Sequence, residues 1–177
     1  SVANDYINNN NNNKCEFINI HWNKDEYSRN AYEKQLGDEL QKYNLDLLIL
    51  AGFNFIVSAQ FINRFSNMIN LHPALYNTFI GWDCIRKAYD SYQRGEIKYT
   101  GSMVHEVIEE LDKGKLIGEV KVPIYPEDSY EDLENRFKNN EKGLLISSIQ
   151  HYINKHNENI IENQNKEVYI GKVRRVE

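Results

Sequence analysis

Leu45-Asp46-Leu47-Leu48-Ile49-Leu50-Ala51-Gly52 is the stretch on which the fold turns. It is an almost unbroken apolar run of strand length that ends on a glycine, the pattern of a parallel strand covered on both faces. A second short apolar strand, Met68-Ile69-Asn70-Leu71, lies downstream and stops at His72-Pro73. Proline cannot continue a central ladder. Between the two, Ser58 to Phe65 has the length and the serine cap of a short helix. Strand, helix and strand in this order predict an α/β fold with a mainly parallel sheet flanked by helices.

The flanking sequence extends the pattern. Upstream, Phe17, Ile18 and Ile20 suggest a strand within 14–21, and Asn23-Lys24-Asp25 a helix cap. From Glu26 to Tyr43, Ala31, Tyr32, Leu36 and Leu40 recur at helical spacing. Downstream, Ile85, Ala88, Tyr89 and Tyr92 share one face of a helix over 82–95, with Gly95 as its stop. Thr100 to Ile108 and Leu116 to Ile124 alternate polar and apolar side chains around Gly114, which predicts an antiparallel hairpin. A long helix starts near Pro126, with Asp128/Glu131 and Ser129/Asp132 as the two cap pairings, and Leu133, Phe137, Leu144 and Ile149 as its buried stripe. Val168 to Val173 suggests a last strand, and the asparagine run Asn8 to Asn13 a surface insertion.

Composition narrows the function classes. At 177 residues the chain suits one domain, expected to span 1–177, and its 41% hydrophobic content is ordinary for a globular protein. No apolar run approaches the ~18 residues of a membrane span, and no segment resembles a signal peptide. A net charge of −5 argues against a nucleic-acid-binding face. Two cysteines, Cys15 and Cys84, without zinc-like spacing to other Cys or His, suggest a reducing, cytoplasmic setting and no metal.

The candidate chemistry sits where the second strand ends. Asn70 and His72 are two residues apart, so an extended backbone projects both from one face. The carboxyl ends of strands are where open α/β sheets keep their polar sites. Asp112, in the turn Asp112-Lys113-Gly114, is the distant carboxylate that can orient His72 and favour its cation. Taken singly, each residue also has an ordinary role in packing or turns. Together, an amide, an imidazole and a carboxylate can stabilise an oxyanion and move a proton.

Four segments in order, Leu47-Leu48-Ile49-Leu50-Ala51-Gly52-Phe53, Asn70-Leu71-His72-Pro73-Ala74-Leu75, Thr100-Gly101-Ser102-Met103-Val104-His105 and Glu110-Leu111-Asp112-Lys113-Gly114, resemble the phosphoribosylglycinamide formyltransferases, and most the stand-alone fungal form. The resemblance runs from about Val2 to Ile153. Asn-x-His-Pro with a distant Asp is shared across the wider formyltransferase superfamily, whereas Arg29-Asn30-Ala31-Tyr32 and Glu141 point to the glycinamide enzyme. It implies a Rossmann-like formyltransferase sheet with an antiparallel hairpin and a long C-terminal helix. Relative to that family, the opening strand and its glycine-rich phosphate turn have no counterpart here, so the domain is expected to be N-terminally incomplete.

The resemblance also implies a reaction. A formyl group passes from 10-formyltetrahydrofolate, as co-substrate, to the amine of N1-(5-phosphoribosyl)glycinamide in purine synthesis, with small-molecule substrates as partners, no nucleic acid, no membrane and no metal. Asn70, His72 and Asp112 match the catalytic residues. Arg29, Asn54, Phe55, Ile56, Val57, Asn70, Ile108, Glu109, Glu110, Leu111 and Asp112 match the donor site, where backbone contacts dominate, and Arg29 faces the glutamate tail. Lys138, Asn139, Asn140 and Glu141 match the acceptor site, with Glu141 as hydroxyl acceptor. His105, on the strand leading to the Asp loop, is expected to pack or to support the neighbouring site residues rather than react. Leu75-Tyr76-Asn77 lacks the proline usual there, which predicts a looser loop over the acceptor. The competing readings are a formyltetrahydrofolate hydrolase-like enzyme and a truncated, catalytically silent folate-binding paralogue. A methionyl-tRNA formyltransferase fits poorly, because the chain is acidic.

Overall fold

The computed structural model describes Ile18, Ile20 and residues 28–158. In chain order these form α1 (Arg29–Leu40), β1 (Leu48–Ala51), α2 (Ala59–Arg64), β2 (Met68–His72), α3 (Cys84–Gln93), β3 (Tyr99–Glu106), β4 (Leu116–Pro123) and α4 (Tyr130–Glu158). The α/β architecture is the expected one. Among the described residues the sheet is mixed, in the order β1-β2-β3-β4. The parallel pairing joins β1 to β2 across the α2 crossover, and β2-β3 and β3-β4 are antiparallel. The expected strand within 14–21 and the strand over 168–173 lie outside the described residues, as does the asparagine run.

Alternate residues of the apolar run go to opposite faces, which is why it has no polar side. Leu48 and Leu50 join Tyr32, Leu36, Phe61 and Met68 under α1 and α2, and Ile20 packs against that cluster. Leu47 and Ile49 join Ile69, Val104, Leu144 and Tyr152 under the second half of α4. A third cluster of Val122, Ile124, Leu133 and Phe137 receives Ile85, Tyr89 and Tyr92 of α3, the face expected for that helix. Gly95, φ +74°, ends α3 as expected, since only glycine enters that region without strain.

Three local expectations shift. α1 starts at Arg29 with Ser28 as its cap, the Ser28 hydroxyl accepting from the Ala31 amide at 3.3 Å. Asn23 to Asp25, expected as the cap, lie outside the described residues. Ala31 is exposed, and Glu33 instead takes an inward position on that helix. At α4 the cap is the Ser129/Asp132 pairing: Asp132 N donates to Ser129 Oγ at 3.2 Å and Ser129 N to Asp132 Oδ2 at 3.0 Å. Asp128 is drawn away by stronger partners. It accepts from the Tyr125 amide and forms a two-pronged pair with Arg136, which holds its carboxyl below the usual carboxylate range.

The stripe on α4 is Leu133, Phe137, Leu144, Ser148 and Tyr152, with Ile149 half-buried beside it. Phe137 has no exposed surface at all. Phe137→Ala is expected to lower unfolding free energy by roughly 3–5 kcal/mol and Ser129→Ala by roughly 1 kcal/mol, both read from denaturant midpoints at constant slope.

Candidate active site

β2 carries its polar residues at the carboxyl end, Asn70 and His72 alternating with Leu71. β3 runs antiparallel beside it, placing His105 opposite Asn70 and Met103 opposite His72. Cross-strand partners on one face meet directly. The chain leaving β3 then turns through 107–115. Gly114 lies so close to the Glu106 carbonyl that a Cβ has no room, and Asp112 takes φ +55°, a left-handed conformation that aspartate tolerates better than most residues. Strand order and this tight turn bring a residue forty positions from His72 into the same buried corner.

The corner is compact. Asp112 Oδ2 lies 3.6 Å from His72 Nε2 and Asp112 Oδ1 lies 3.7 Å from His105 Nε2. The three side chains are all buried. Asp112 Oδ2 also accepts the Gly81 amide at 2.9 Å, tying the loop after β2 to the turn after β3. His72 Nε2 stands 2.9 Å from the Phe79 carbonyl and 3.5 Å from Cys84 Sγ. A carbonyl and a carboxylate only accept, so Nε2 carries a proton and donates to Phe79. Nδ1 is then the ring nitrogen left to gain or lose one.

His105 has the complementary arrangement. Its Nδ1–H donates to the Glu106 carbonyl at 2.8 Å, and its Nε2 lies 3.3 Å from Asn70 Nδ2. Burial, the largest influence, pushes its pKa below the ordinary histidine value, so the ring is neutral near pH 7. A neutral ring has the lone pair that the Asn70 amide needs as acceptor. One Asn70 N–H is used in this way, which fixes the amide orientation and leaves the second N–H for a ligand. His105 thus supports the site through Asn70, one of the two roles the sequence left open for it. Its signal was the register that sets it opposite Asn70, which the sequence alone does not reveal. Cys84, at the start of α3, was not expected here. Burial pushes its thiol up to about 11, so it stays protonated and donates to the Gly81 carbonyl at 3.1 Å.

The sequence profile described as formyl transferase matches residues 8–149. The chain belongs to the formyl transferase family. It is 37% identical over 130 residues to phosphoribosylglycinamide formyltransferase of Dictyostelium discoideum, covering 70% of this chain and 63% of that one. The Schizosaccharomyces pombe protein of the same name is 36% identical over 133 residues, covering 72% and 64%. Among solved structures, phosphoribosylglycinamide formyltransferase from Bacillus halodurans superimposes with a TM-score of 0.65 at 29% identity, covering 73% of this chain and 65% of that one. The chain therefore spans a little under two thirds of the length of these relatives. The family resemblance read from the sequence is borne out.

Around the central cluster, the other residues expected in a formyltransferase site are placed as follows. Asn54 and Ile56 are exposed on the loop after β1, while Phe55 packs its ring 5.9 Å from Tyr32, and Val57 rests on the core under α1. Arg29 is 42% exposed and pairs with Glu33 at 3.6 Å. Ile108, Glu109 and Glu110 are exposed on the turn after β3, and Leu111 is half-buried beside Gly81. On α4, Lys138 is exposed and pairs along the helix with Glu134 at 2.9 Å, Asn139 is exposed, and Asn140 donates to the Arg136 carbonyl. Glu141 accepts from the Ser102 hydroxyl at 3.0 Å, which brings α4 against β3. Among the described residues no helix is long and apolar enough to cross a membrane, and no group of three or more Cys, His, Asp or Glu could hold a metal ion.

The loop after β2 differs from the expectation of looseness. Tyr76 N donates to Glu119 Oε2 at 2.7 Å, the Tyr76 hydroxyl to the Lys113 carbonyl at 3.3 Å, and Lys113 Nζ to Asn77 Oδ1 at 2.7 Å. Asn77 takes φ +62°, a left-handed turn that asparagine accommodates. Side-chain bonds to the hairpin replace the stiffness a proline supplies.

The neutral, buried His105 has a consequence for stability. Its folded-state pKa lies below the unfolded value of 6.5, so at mildly acid pH the unfolded chain binds the extra proton. Its contribution to stability is therefore full above 6.5 and falls as pH drops from there toward the folded-state value. His105→Gln, neutral at every pH, is expected to show a smaller loss of denaturant midpoint between pH 7.5 and 5.5 than the wild type.

Proposed function

We propose that this chain transfers a formyl group from 10-formyltetrahydrofolate to the amine of N1-(5-phosphoribosyl)glycinamide, a step of purine synthesis. The observation that carries the reading is the meeting of Asn70, His72, His105 and Asp112 in one buried corner of a formyl transferase family chain. The names of its relatives, phosphoribosylglycinamide formyltransferase, support the choice of acceptor. Such a reaction needs a donor aimed at the formyl oxygen and a group that returns a proton to the departing folate nitrogen.

The residues divide these tasks. The acceptor amine attacks the formyl carbon, and the carbonyl oxygen gains negative charge. Asn70, oriented by His105, offers its second N–H to that oxygen, a preorganised donor where charge develops. His72 shares the developing charge and carries the proton at Nδ1, because its Nε2–H is held by the Phe79 carbonyl. Asp112 stands beside the imidazole edge and stabilises the cation that forms. The amine loses a proton, the folate nitrogen gains one as its bond to the formyl carbon breaks, and the formamide product remains. The loop 54–57 and the turn 108–112 are the donor-binding walls, with Arg29 toward the donor's carboxylates. Glu141, in reach of Ser102, is the hydroxyl acceptor for the ribose. Lys138 is already engaged by Glu134, so within 138–141 we assign Glu141 the leading role. We place the reaction in the cytoplasm, where a thiol such as Cys84 stays reduced.

The test is transfer by this chain from 10-formyl-5,8-dideazafolate to glycinamide ribonucleotide, followed by release of the deformylated folate. Asn70→Ala is expected to lower kcat by roughly 10²–10³-fold with the fold intact by circular dichroism. His72→Ala is expected to abolish turnover. Turnover indifferent to His72→Ala sinks the catalytic assignment. A folded wild type that binds the folate analogue without turnover points to the silent paralogue instead.

A further inference from the structure

We propose that Glu33 is the positioning residue of the donor site, one buried carboxyl group that holds both the Arg29 guanidinium and the 54–57 loop in a single geometry. The proposal rests on the donor-site reading given above. Glu33 lies on α1 one helical turn after Arg29, and only 6% of it is exposed. Its Oε1 accepts the Ser58 amide at 3.1 Å. The same oxygen stands 3.6 Å from Arg29 Nη2. Ser58 follows directly on the 54–57 loop and caps α2 through its hydroxyl. A single oxygen therefore joins the loop to the cation.

The neighbouring residue reinforces the grip. Tyr32 packs its ring against Phe55 and so holds the middle of the loop from the apolar side, while Glu33 holds its end from the polar side. Consecutive positions on α1 thus fasten one segment by two kinds of contact. Arg29 itself is 42% exposed. Glu33 lies beside one guanidinium nitrogen, and the five-donor fork of a partly exposed arginine is suited to a carboxylate ligand. An exposed arginine explores many rotamers, and pairing with a buried partner restricts it before any ligand arrives. The pair keeps the cation beside the loop. A carboxyl group used only to stabilise the fold does not require its cation to stay accessible.

Glu33→Gln separates the two bonds, because glutamine keeps an oxygen for the Ser58 amide and loses the attraction for Arg29. Binding of 5,8-dideazafolate with its glutamate tail, measured by titration calorimetry, is expected to weaken roughly tenfold in Glu33→Gln, the loss typical of one charge-assisted contact. The donor KM rises in parallel, while kcat stays within about twofold and the thermal midpoint stays close to wild type. An analogue lacking the glutamate is expected to bind both forms equally. Adding Arg29→Ala to Glu33→Gln is expected to cost little beyond Arg29→Ala alone, since both act through one contact.

Equal affinity of wild type and Glu33→Gln for the tailed analogue overturns the proposal, as does an equal loss for tailed and tailless analogues. A lowered thermal midpoint with unchanged affinity also overturns it, leaving Glu33 a stability residue. Because calorimetry needs no turnover, the two levels separate. A wild type that binds neither analogue removes the donor-site reading and this proposal with it. A wild type that binds both, with Glu33→Gln indistinguishable from it, removes this proposal alone.

Discussion

The rest of the structure depends on one constraint: β2 ends by burying polar side chains in a core, and each must find a partner there. His72 is buried and Asn70 half-buried at the end of a strand whose other residues are apolar, so each has lost much or all of its contact with water. The answer is a closed set of partners drawn from β3, the turn after it, and the loop before α3. His105 accepts from the Asn70 amide, Asp112 stands beside both imidazoles, and the Phe79 carbonyl accepts the His72 Nε2–H hydrogen bond. Each contact that settles a buried polar group also orients it. The partners that make burial tolerable also fix the Asn70 amide and the His72 imidazole in single orientations.

That closure explains why the surrounding loops are tied down as they are. Asp112 accepts the Gly81 amide while facing His72, so the loop after β2 and the turn after β3 cannot move apart without unpairing a buried carboxylate. Tyr76, Asn77 and Lys113 bind the same two segments from the outside, and Glu119 ties the first of them to β4. On the far side of β1, Tyr32 and Glu33 fasten the 54–57 loop to α1 in a comparable manner. Rigid strands set the chemistry in place, and side-chain bonds between loops hold its walls.

Much of the architecture was legible because it follows from local periodicity and terminal chemistry. The apolar run of β1, the serine cap of α2, the proline after β2, the alternating hairpin and the glycine after α3 are each properties of a few neighbouring residues. Where two local signals competed, the sequence could not choose. Asp128 and Ser129 are both good caps, and the outcome depended on Arg136, two helical turns along α4, which captured Asp128. In the same way, the missing proline at Tyr76 suggested looseness because its replacement partners, Lys113 and Glu119, come from distant parts of the chain.

By itself, then, the sequence determined the fold class, the identity of the strand that ends in polar residues, and the trio Asn70, His72 and Asp112 through family resemblance. The tertiary structure decided what those residues can do. His105 joins them because antiparallel register sets it across from Asn70. The tautomer of His72 follows from a carbonyl seven residues on and a carboxylate forty residues on. Glu33, an unremarked charge on a helix, becomes a link between cation and loop only when α1 packs beside Ser58. Periodicity is written in near neighbours, whereas hydrogen-bond roles and charge states depend on which distant groups the fold brings within about 3–4 Å.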